Sequence, residues 1–186
     1  LFPYTTLFRS LAVTTFGSGA YQETDLAFAA AFAIGGLSLG IGVHWYHLSI
    51  YRYGSAGVPG LCVGGIHRVT ESLGLGFNLI NISSPRIGAG KEQLPGSLEL
   101  GMEYVPVPGV HLRLEISKTD GYSFEYRYGM EYLISEGFIL LCGYNNPSEA
   151  VCMGTVVSFR GFEVSYAADY HMVLGLSNTV SISYEF

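Results

Sequence analysis

The histidines are the residues of this chain best suited to metal binding or proton transfer, and their spacing argues against both. They are spread over different predicted strands and loops, at His44, His47, His67, His111 and His171. His44 and His47 are three residues apart, which places them on opposite faces of a strand and disfavours a shared metal ion. The chain contains no Gly-Lys-Ser/Thr phosphate loop and no Cys-x-x-Cys pair. We therefore expect no catalytic residues, no metal and no cofactor, and interpret the histidines as interfacial or inward-facing polar residues.

Charged side chains recur at alternate positions of several segments and form the second group that could do chemistry. The members are Glu99, Glu103, Arg113, Glu115, Glu125, Arg127, Glu131, Glu163 and Asp169. Alternate residues of a strand share a face, so we expect these side chains to project into a lumen, where opposite charges pair across strands. Two interpretations stay open: a structural network of ion pairs that fills a narrow barrel, or a polar passage for a small solute.

Large apolar side chains occupy the positions between the polar ones, and this period of two predicts strands. Tyr122, Phe124, Tyr126, Tyr128, Met130 and Tyr132 alternate with Ser, Glu, Arg and Gly, and the same pattern recurs at 73–79, 97–104, 111–117 and 162–167. The chain closes with Val180, Ile182, Tyr184 and Phe186 between Ser181, Ser183 and Glu185. We predict twelve strands, at 11–17, 25–34, 37–52, 56–69, 72–83, 95–106, 109–118, 122–134, 137–145, 149–159, 161–170 and 176–186.

The composition indicates which face of these strands meets which medium. Charged residues are 13% of the 186 residues, against about 25% in a typical soluble domain. A soluble β-sandwich hides its apolar faces and covers its outside with charge, and this chain lacks the charge for that. A barrel in lipid turns its apolar side chains outward and its polar ones inward. The formal net charge of −6 argues against a nucleic-acid partner, which would need a basic stripe.

The connections between the predicted strands alternate in length, as they do in membrane barrels with short periplasmic turns and longer outer loops. We expect the longer ones to face outward, at 17–24, 53–56, 84–94, 119–121, 145–149 and 171–175. The largest, Ser84–Leu94, carries Arg86, Lys91 and Glu92. The tight turns lie on the side where Phe186 ends, so that side and the C-terminus should be periplasmic.

Three further segments need an interpretation of their own. Leu26–Val43 has no charge and is long enough for a transmembrane helix, but Gly35-Gly36 interrupts it, so we interpret it as a hairpin and keep the helix as an alternative.

Cys142 and Cys152 flank a turn near Pro147, and a disulfide between them is a hypothesis. Residues 1–10 resemble the translation of a sequencing adapter, so we expect a non-native segment followed by an N-terminally truncated barrel at 11–186.

From about Tyr21 onward the chain resembles the PorV/PorQ-like branch of the FadL-type outer-membrane barrels. The stretches that carry the resemblance are Tyr21–Thr24, Leu37–Gly42, Tyr51–Gly54, Leu73–Asn81, Tyr126–Tyr132, Asp169-Tyr170 and Leu174–Ser177, with the final strand running to Phe186. These pieces are short, and they are more specific for the superfamily than for one branch of it.

The resemblance implies an all-β, antiparallel transmembrane barrel of fourteen strands in the bacterial outer membrane, of which about twelve are present here. It implies a non-enzymatic protein that acts in protein secretion or as a membrane scaffold, or else a transporter of hydrophobic small molecules. The partners implied are the lipid bilayer, the barrel-assembly machinery that reads the strand with Val180, Ile182, Tyr184 and Phe186, and secretion components or a hydrophobic ligand. A barrel enzyme acting on lipid would need a nucleophile and a base on one outer face, and we identify no such pair.

Overall fold

In the computed structural model, which describes residues 6–88, 90, 92–146 and 148–184, the regular structure consists entirely of β-strands. Twelve of the strands form one antiparallel sheet, in which they are hydrogen-bonded side by side in the order in which these twelve occur along the chain. These strands are β1 (Thr6–Ser18), β2 (Tyr21–Ile34), β3 (Leu37–Ile50), β4 (Gly54–Arg68), β5 (Leu73–Ile80), β8 (Ser97–Val107), β9 (Val110–Thr119), β10 (Phe124–Ser135), β11 (Phe138–Asn145), β12 (Ala150–Phe159), β13 (Phe162–His171) and β14 (Gly175–Tyr184). Between β5 and β8, β6 (Arg86–Ile87) and β7 (Glu92–Gln93) form a separate short hairpin.

The all-β prediction and the order of the twelve predicted strands are confirmed, with boundaries that shift by a few residues. The Leu26–Val43 segment is a hairpin: β2 and β3 pair from Ile34 with Leu37 to Tyr21 with Ile50, around Gly35-Gly36. In the described part of the chain, no helix has the length and apolar character needed to cross a membrane. The described residues do not close the sheet, because the strand order begins at β1 and ends at β14 without pairing these two.

The chain divides into two compact units, which are treated separately below. The first unit comprises Leu1–Arg68, Gly76–Leu100 and Lys118–Ser123, and the second comprises Val69–Leu75, Gly101–Ser117 and Phe124–Phe186. In the first unit, β1 to β4 pair without interruption, from Thr6 with Ala33 in β1–β2 to Leu37 with His67 in β3–β4. In the second, β10 to β14 form a continuous run of antiparallel pairs, with one irregularity between Leu133 and Ser135.

Each unit has an apolar, exposed face and a more polar, less exposed one, as the period of two predicts. Many large side chains of the apolar face are well exposed, as at Phe124 (55%) and Leu100 (49%). Few apolar side chains in the described part of the chain are buried, namely those of Cys62, Pro85, Ile87 and Ala150. The described residues therefore form almost no apolar core, although the chain is 49% hydrophobic, because most of the large side chains stand on the outside. We call the apolar face the outer face and the other the inner face.

The connections follow the predicted alternation with two exceptions. The predicted outer loop 17–24 is a tight turn, because β1 continues to Ser18 and β2 begins at Tyr21. The predicted tight turn at Thr70-Glu71 is longer, since β4 ends at Arg68 and β5 begins at Leu73. Among the tight turns, Gly137 shows why the sequence places glycine there: its φ is +81°, and an added Cβ would lie 2.5 Å from the Ser158 carbonyl oxygen.

Strand β1 also includes part of the segment predicted to be foreign to the protein. Residues Thr6 to Ser10 pair with Ala33 to Ala29, while residues 1–5 lie outside the described part. Arg9 is paired with Ala30 and therefore stands on the outer face, among apolar side chains. The origin of residues 1–10 stays a prediction.

Candidate functional site on the inner face

Two arginines organise the inner face of the second unit. Arg113 of β9 reaches two carboxylates, with its Nε 2.9 Å from Glu103 Oε1 and its Nη1 2.9 Å from Glu131 Oε2. His111 Nδ1 lies 3.4 Å from the same oxygen of Glu103. The three strands β8, β9 and β10 each contribute one charged member, so the ion pairs connect the strands side by side on one face.

Arg127 of β10 is the centre of the second cluster. Its Nη2 lies 2.8 Å from Glu125 Oε2, and its Nη1 donates to Glu115 Oε1 on β9. Ser117, which is almost completely buried, donates to Glu125 Oε2 at 3.5 Å. Four carboxylates thus face two guanidinium groups across the two clusters, and the surface is negative overall.

Ion pairs connect six of the nine charged residues that the sequence predicts to line a lumen, and the lumen itself stays a prediction. The six are Glu103, Arg113, Glu115, Glu125, Arg127 and Glu131. Glu99 belongs to the first unit, where it accepts a hydrogen bond from Asn78 Nδ2 at 3.0 Å. Glu163 stands opposite Ser158 and Ser183, and Asp169 opposite Cys152 and Ser177, so these two acids face small side chains instead of cations.

The inner face of the first unit contains an interaction that the sequence analysis did not predict. His44 Nδ1 lies 3.0 Å from Asp25 Oδ2, and the imidazole stacks on the Tyr46 ring with 5.4 Å between centroids. The register accounts for it, because Asp25 pairs with Tyr46 and Ala27 with His44, which places all of them on one face. His47 pairs with Thr24 on the outer face, so His44 and His47 do lie on opposite faces, as predicted.

The long connection 81–96 covers one face of the sheet, which the sequence does not predict, while the side of the membrane on which Ser84–Leu94 lies stays a prediction. It folds over the inner face of the first unit, where Pro85 and Ile87 are buried. Ile82 N donates to the Leu61 carbonyl at 3.0 Å, which fixes the beginning of the segment on β4. Gly96 N donates to Asp120 Oδ2 at 3.1 Å, which fixes its end. Lys91, predicted to mark this loop, lies outside the described residues.

A glycine on β4 makes room for this fold. A Cβ at Gly60 would lie 2.6 Å from Asn81 Oδ1 and 2.6 Å from Tyr46 Cε2, so no larger residue fits without displacing them. The apolar character of Pro85, Ile87 and Leu94 was the signal in the sequence, since such residues in a loop tend to find a buried surface. We call residues 81–96 the inner loop.

A cavity of about 240 Å³ lies between the inner loop and the strands of the first unit. Its lining comprises Thr14, Phe16, Glu23, Thr24, Asp25, Tyr46, His47, Leu48, Ile87 and Leu94. Most of this surface is apolar, and its acidic side chains on the inner face are Glu23 and Asp25. The cavity can therefore hold a small molecule with an apolar body.

Aromatic side chains stand in two rows on the outer face of the second unit. Phe159, Phe162 and Tyr184 are direct neighbours at the end with tight turns, with 4.6 Å between the Phe162 and Tyr184 ring centroids. Tyr128 and Tyr144 pair at the opposite end, and Tyr170 lies on the same end of β13. Of the predicted terminal strand, Val180, Ile182 and Tyr184 share this face, and Phe186 lies outside the described residues.

The hypothesis of a Cys142–Cys152 disulfide is wrong. The register pairs Cys142 with Met153 and Cys152 with Gly143, so the two side chains point to opposite faces of the sheet. Both cysteines are free, as is Cys62. Pro147, near the turn on which the hypothesis depended, lies outside the described residues.

The geometry of the described residues bears on one hydrolase-like sequence pattern and on the possible metal ligands. Gly36–Gly40 has the spacing Gly-x-Ser-x-Gly of a hydrolase elbow, but its Ser38 lies within strand β3, opposite Ala33 and Ile66, and not at a strand-to-helix turn. The described residues contain no group of three or more His, Cys, Asp or Glu side chains that could hold a metal ion. Comparison with known proteins finds no matching family model and no matching curated sequence.

Proposed function

We propose that this chain spans a bacterial outer membrane as part of a β-barrel and acts without catalysis, in protein secretion or as a membrane scaffold. The observation that carries the proposal is the inverted sheet, with large apolar side chains on the outer face and ion-paired acids and arginines on the inner face. Soluble monomers rarely expose contiguous apolar patches larger than a few hundred Å². A bilayer is the medium in which such a face is stable.

The dimensions of the outer face support the same proposal. Phe162 and Tyr170, which end the apolar stretch of β13, are eight residues apart. At about 3.3 Å per residue this is about 26 Å of strand, and a tilt of about 40° makes the band about 20 Å high. Leu37 and Trp45 bound an apolar stretch of the same length on β3, after which His47 and Ser49 are polar. The apolar band of an outer-membrane barrel is about 25 Å tall, with aromatic girdles at both edges.

An open sheet of this length in lipid would leave the polar groups of its two edge strands unpaired, at a cost of several kcal/mol for each group. We therefore propose that the sheet closes into a barrel in the membrane. The fourteen strands implied by the family resemblance would supply two more strands between β1 and β14. The inner face would then line a lumen with the ion pairs of Arg113 and Arg127 on its wall.

The choice of a secretion or scaffold role follows the resemblance to the PorV/PorQ-like branch. The ion pairs on the inner face agree with it, because paired charges stabilise a wall and leave few free groups for a solute. The apolar cavity under the inner loop favours the second candidate, a FadL-type transporter of hydrophobic small molecules. That cavity would be a binding site along the passage.

A pair of neighbouring substitutions on β13 tests the membrane proposal. Val164 faces outward and Ser165 inward, and both lie between the aromatic rows. We expect Val164→Arg to reduce folding into lipid vesicles by about 1–3 kcal/mol, because arginine costs about 2–4 kcal/mol at the bilayer midplane and Val164 lies between the midplane and the aromatic row at Phe162. Ser165→Arg, with the same new charge one residue away, should insert nearly as well as the unmodified protein. Equal behaviour of the two variants would contradict a membrane-facing outer surface.

Solute uptake and partner binding by the inserted protein distinguish the secretion or scaffold role from the transporter role. Vesicles that contain it should not take up a radiolabelled fatty acid faster than empty vesicles if the protein serves secretion, and the protein should co-purify from cells with secretion components or exported cargo. Rapid uptake of the fatty acid, together with no co-purified protein partner, would contradict the secretion or scaffold role and support the transporter role.

A further inference from the structure

The cavity under the inner loop combines an apolar wall with two carboxylates. Ile87 and Leu94 of the loop form one side, and Phe16, Tyr46 and Leu48 of the strands form the other. Glu23 and Asp25 stand two residues apart on β2 and share its inner face, so both carboxylates belong to the same wall. The site is a half-open space between the loop and the strands, with one charged side.

Neither carboxylate is neutralised by a fixed cation of the described residues. Glu23 accepts a hydrogen bond from the Tyr21 hydroxyl, and Asp25 is held by His44 Nδ1 at 3.0 Å. No lysine or arginine of the described part of the chain forms an ion pair with either of them. This distinguishes the cavity from the inner face of the second unit, where each arginine links two glutamates.

We propose that this cavity binds a small organic cation: an ammonium or quaternary ammonium group attached to an aromatic or short aliphatic body. The carboxylates would attract the charge, and the inner loop reduces its exposure to water, which strengthens the attraction. The rings of Phe16 and Tyr46 add cation–π contact and apolar surface for the body. An anionic ligand would meet two like charges and is excluded by the same wall.

The size of the space limits the ligand further. At about 240 Å³ the cavity is smaller than the roughly 300–1,000 Å³ that drug-sized ligands occupy. A single ring with one ammonium centre is therefore the appropriate class, and a long acyl chain is too large to be enclosed. The inference concerns the folded sheet and its inner loop, so it does not depend on the secretion or transport role.

Calorimetric titration of the whole protein in an uncharged detergent tests the inference directly. The probes are benzyltrimethylammonium, the neutral benzyl alcohol and the anionic phenylacetate, which share the ring and differ in charge. We expect the cation to bind at least tenfold more tightly than benzyl alcohol, and phenylacetate to give no measurable heat. Absence of cation binding at millimolar concentration, or equal affinity for cation and alcohol, would overturn the proposal.

Matched variants locate the binding in this cavity. Glu23→Gln keeps the shape and removes one charge, and it should weaken cation binding about tenfold, as should Asp25→Asn. Glu163→Gln removes an inner-face carboxylate that does not line the cavity and should leave the affinity unchanged. Leu94→Trp, which fills the space without changing the charge, should abolish binding of the cation.

The emission of Trp45 and the migration of the unheated protein in gels show whether each variant is folded. A folded Glu23→Gln/Asp25→Asn double variant that binds the cation as tightly as the parent would contradict the site. Failure of the Val164 and Ser165 test with intact cation binding would contradict the membrane role alone, so the two failures are distinguishable.

Discussion

Cys142 and Cys152 lie on neighbouring strands with their side chains on opposite faces of the sheet. Cys142 is opposite Met153 on the outer face, and Cys152 is opposite Gly143 on the inner face. A turn of suitable length therefore does not bring the two thiols together, because a shift of one residue in register moves a side chain to the other face.

Three free thiols are the first prediction. The protein folded in vesicles under air should gain the mass of three alkyl groups when it is unfolded and alkylated without reductant. Before unfolding, a charged, water-soluble maleimide should not modify Cys142, since a charged reagent does not enter the hydrocarbon layer. A Cys142→Ser variant shows which part of the measured maleimide labelling comes from Cys142. A product with only one alkyl group, restored to three by reductant, would show that a disulfide does form.

The single tryptophan gives a depth measurement without any mutation. Trp45 stands on the outer face of β3, at the last apolar position before His47. We expect its fluorescence to be quenched more by lipids brominated near the headgroup than by lipids brominated near the end of the acyl chain, because the apolar band ends there. Stronger quenching from the bilayer centre, or no quenching by either lipid, would contradict this position.

Arg113 is predicted to stabilise the second unit through its two ion pairs. Arg113→Gln leaves Glu103 and Glu131 without their guanidinium partner and should lower the free energy of unfolding by about 1–2 kcal/mol, less than a fully buried pair because these side chains are partly exposed. Urea titration of the protein in detergent measures the change.

The control for Arg113 is another arginine without a carboxylate partner among the described residues. Arg160 lies in a turn, where its guanidinium contacts the Phe159 ring at 4.9 Å. Arg160→Gln should change the stability by less than about 0.5 kcal/mol. If both variants lose the same amount, the loss at Arg113 is not due to its ion pairs.

Gly60 is predicted to be necessary for seating the inner loop. Gly60→Ala introduces a Cβ 2.6 Å from both Asn81 Oδ1 and Tyr46 Cε2, and it should cost about 1–3 kcal/mol as overpacking. Gly101→Ala is the matched control, since its Cβ would have 4.0 Å to the nearest atom, the Leu114 carbonyl oxygen. Proteolysis within 84–94 should become faster in Gly60→Ala alone. Equal protease resistance of the two variants would show that the loop does not depend on this contact.

The sequence predicts the strands well because a period of two is a local signal. Phe124 to Tyr132 specifies both the strand and its faces, and the Arg113 and Arg127 ion pairs follow from that alternation. Contacts that depend on strand register or on tertiary folding are harder to predict from the sequence. The Asp25–His44 contact needs the pairing of β2 with β3, and the inward fold of 81–96 needs the space left by Gly60. Neither is visible in the spacing of residues along the chain.

The most direct test of the outward apolar face is the accessibility of spin labels along β13. Single cysteines from Phe162 to Tyr170, in a variant without the native cysteines, would carry a nitroxide in protein inserted into vesicles. We predict high oxygen and low nickel-complex accessibility at Val164, Tyr166 and Ala168, which lie on the outer face between the aromatic rows. We predict the opposite at Glu163, Ser165, Ala167 and Asp169. A uniform profile, or one with these two sets exchanged, would contradict the account.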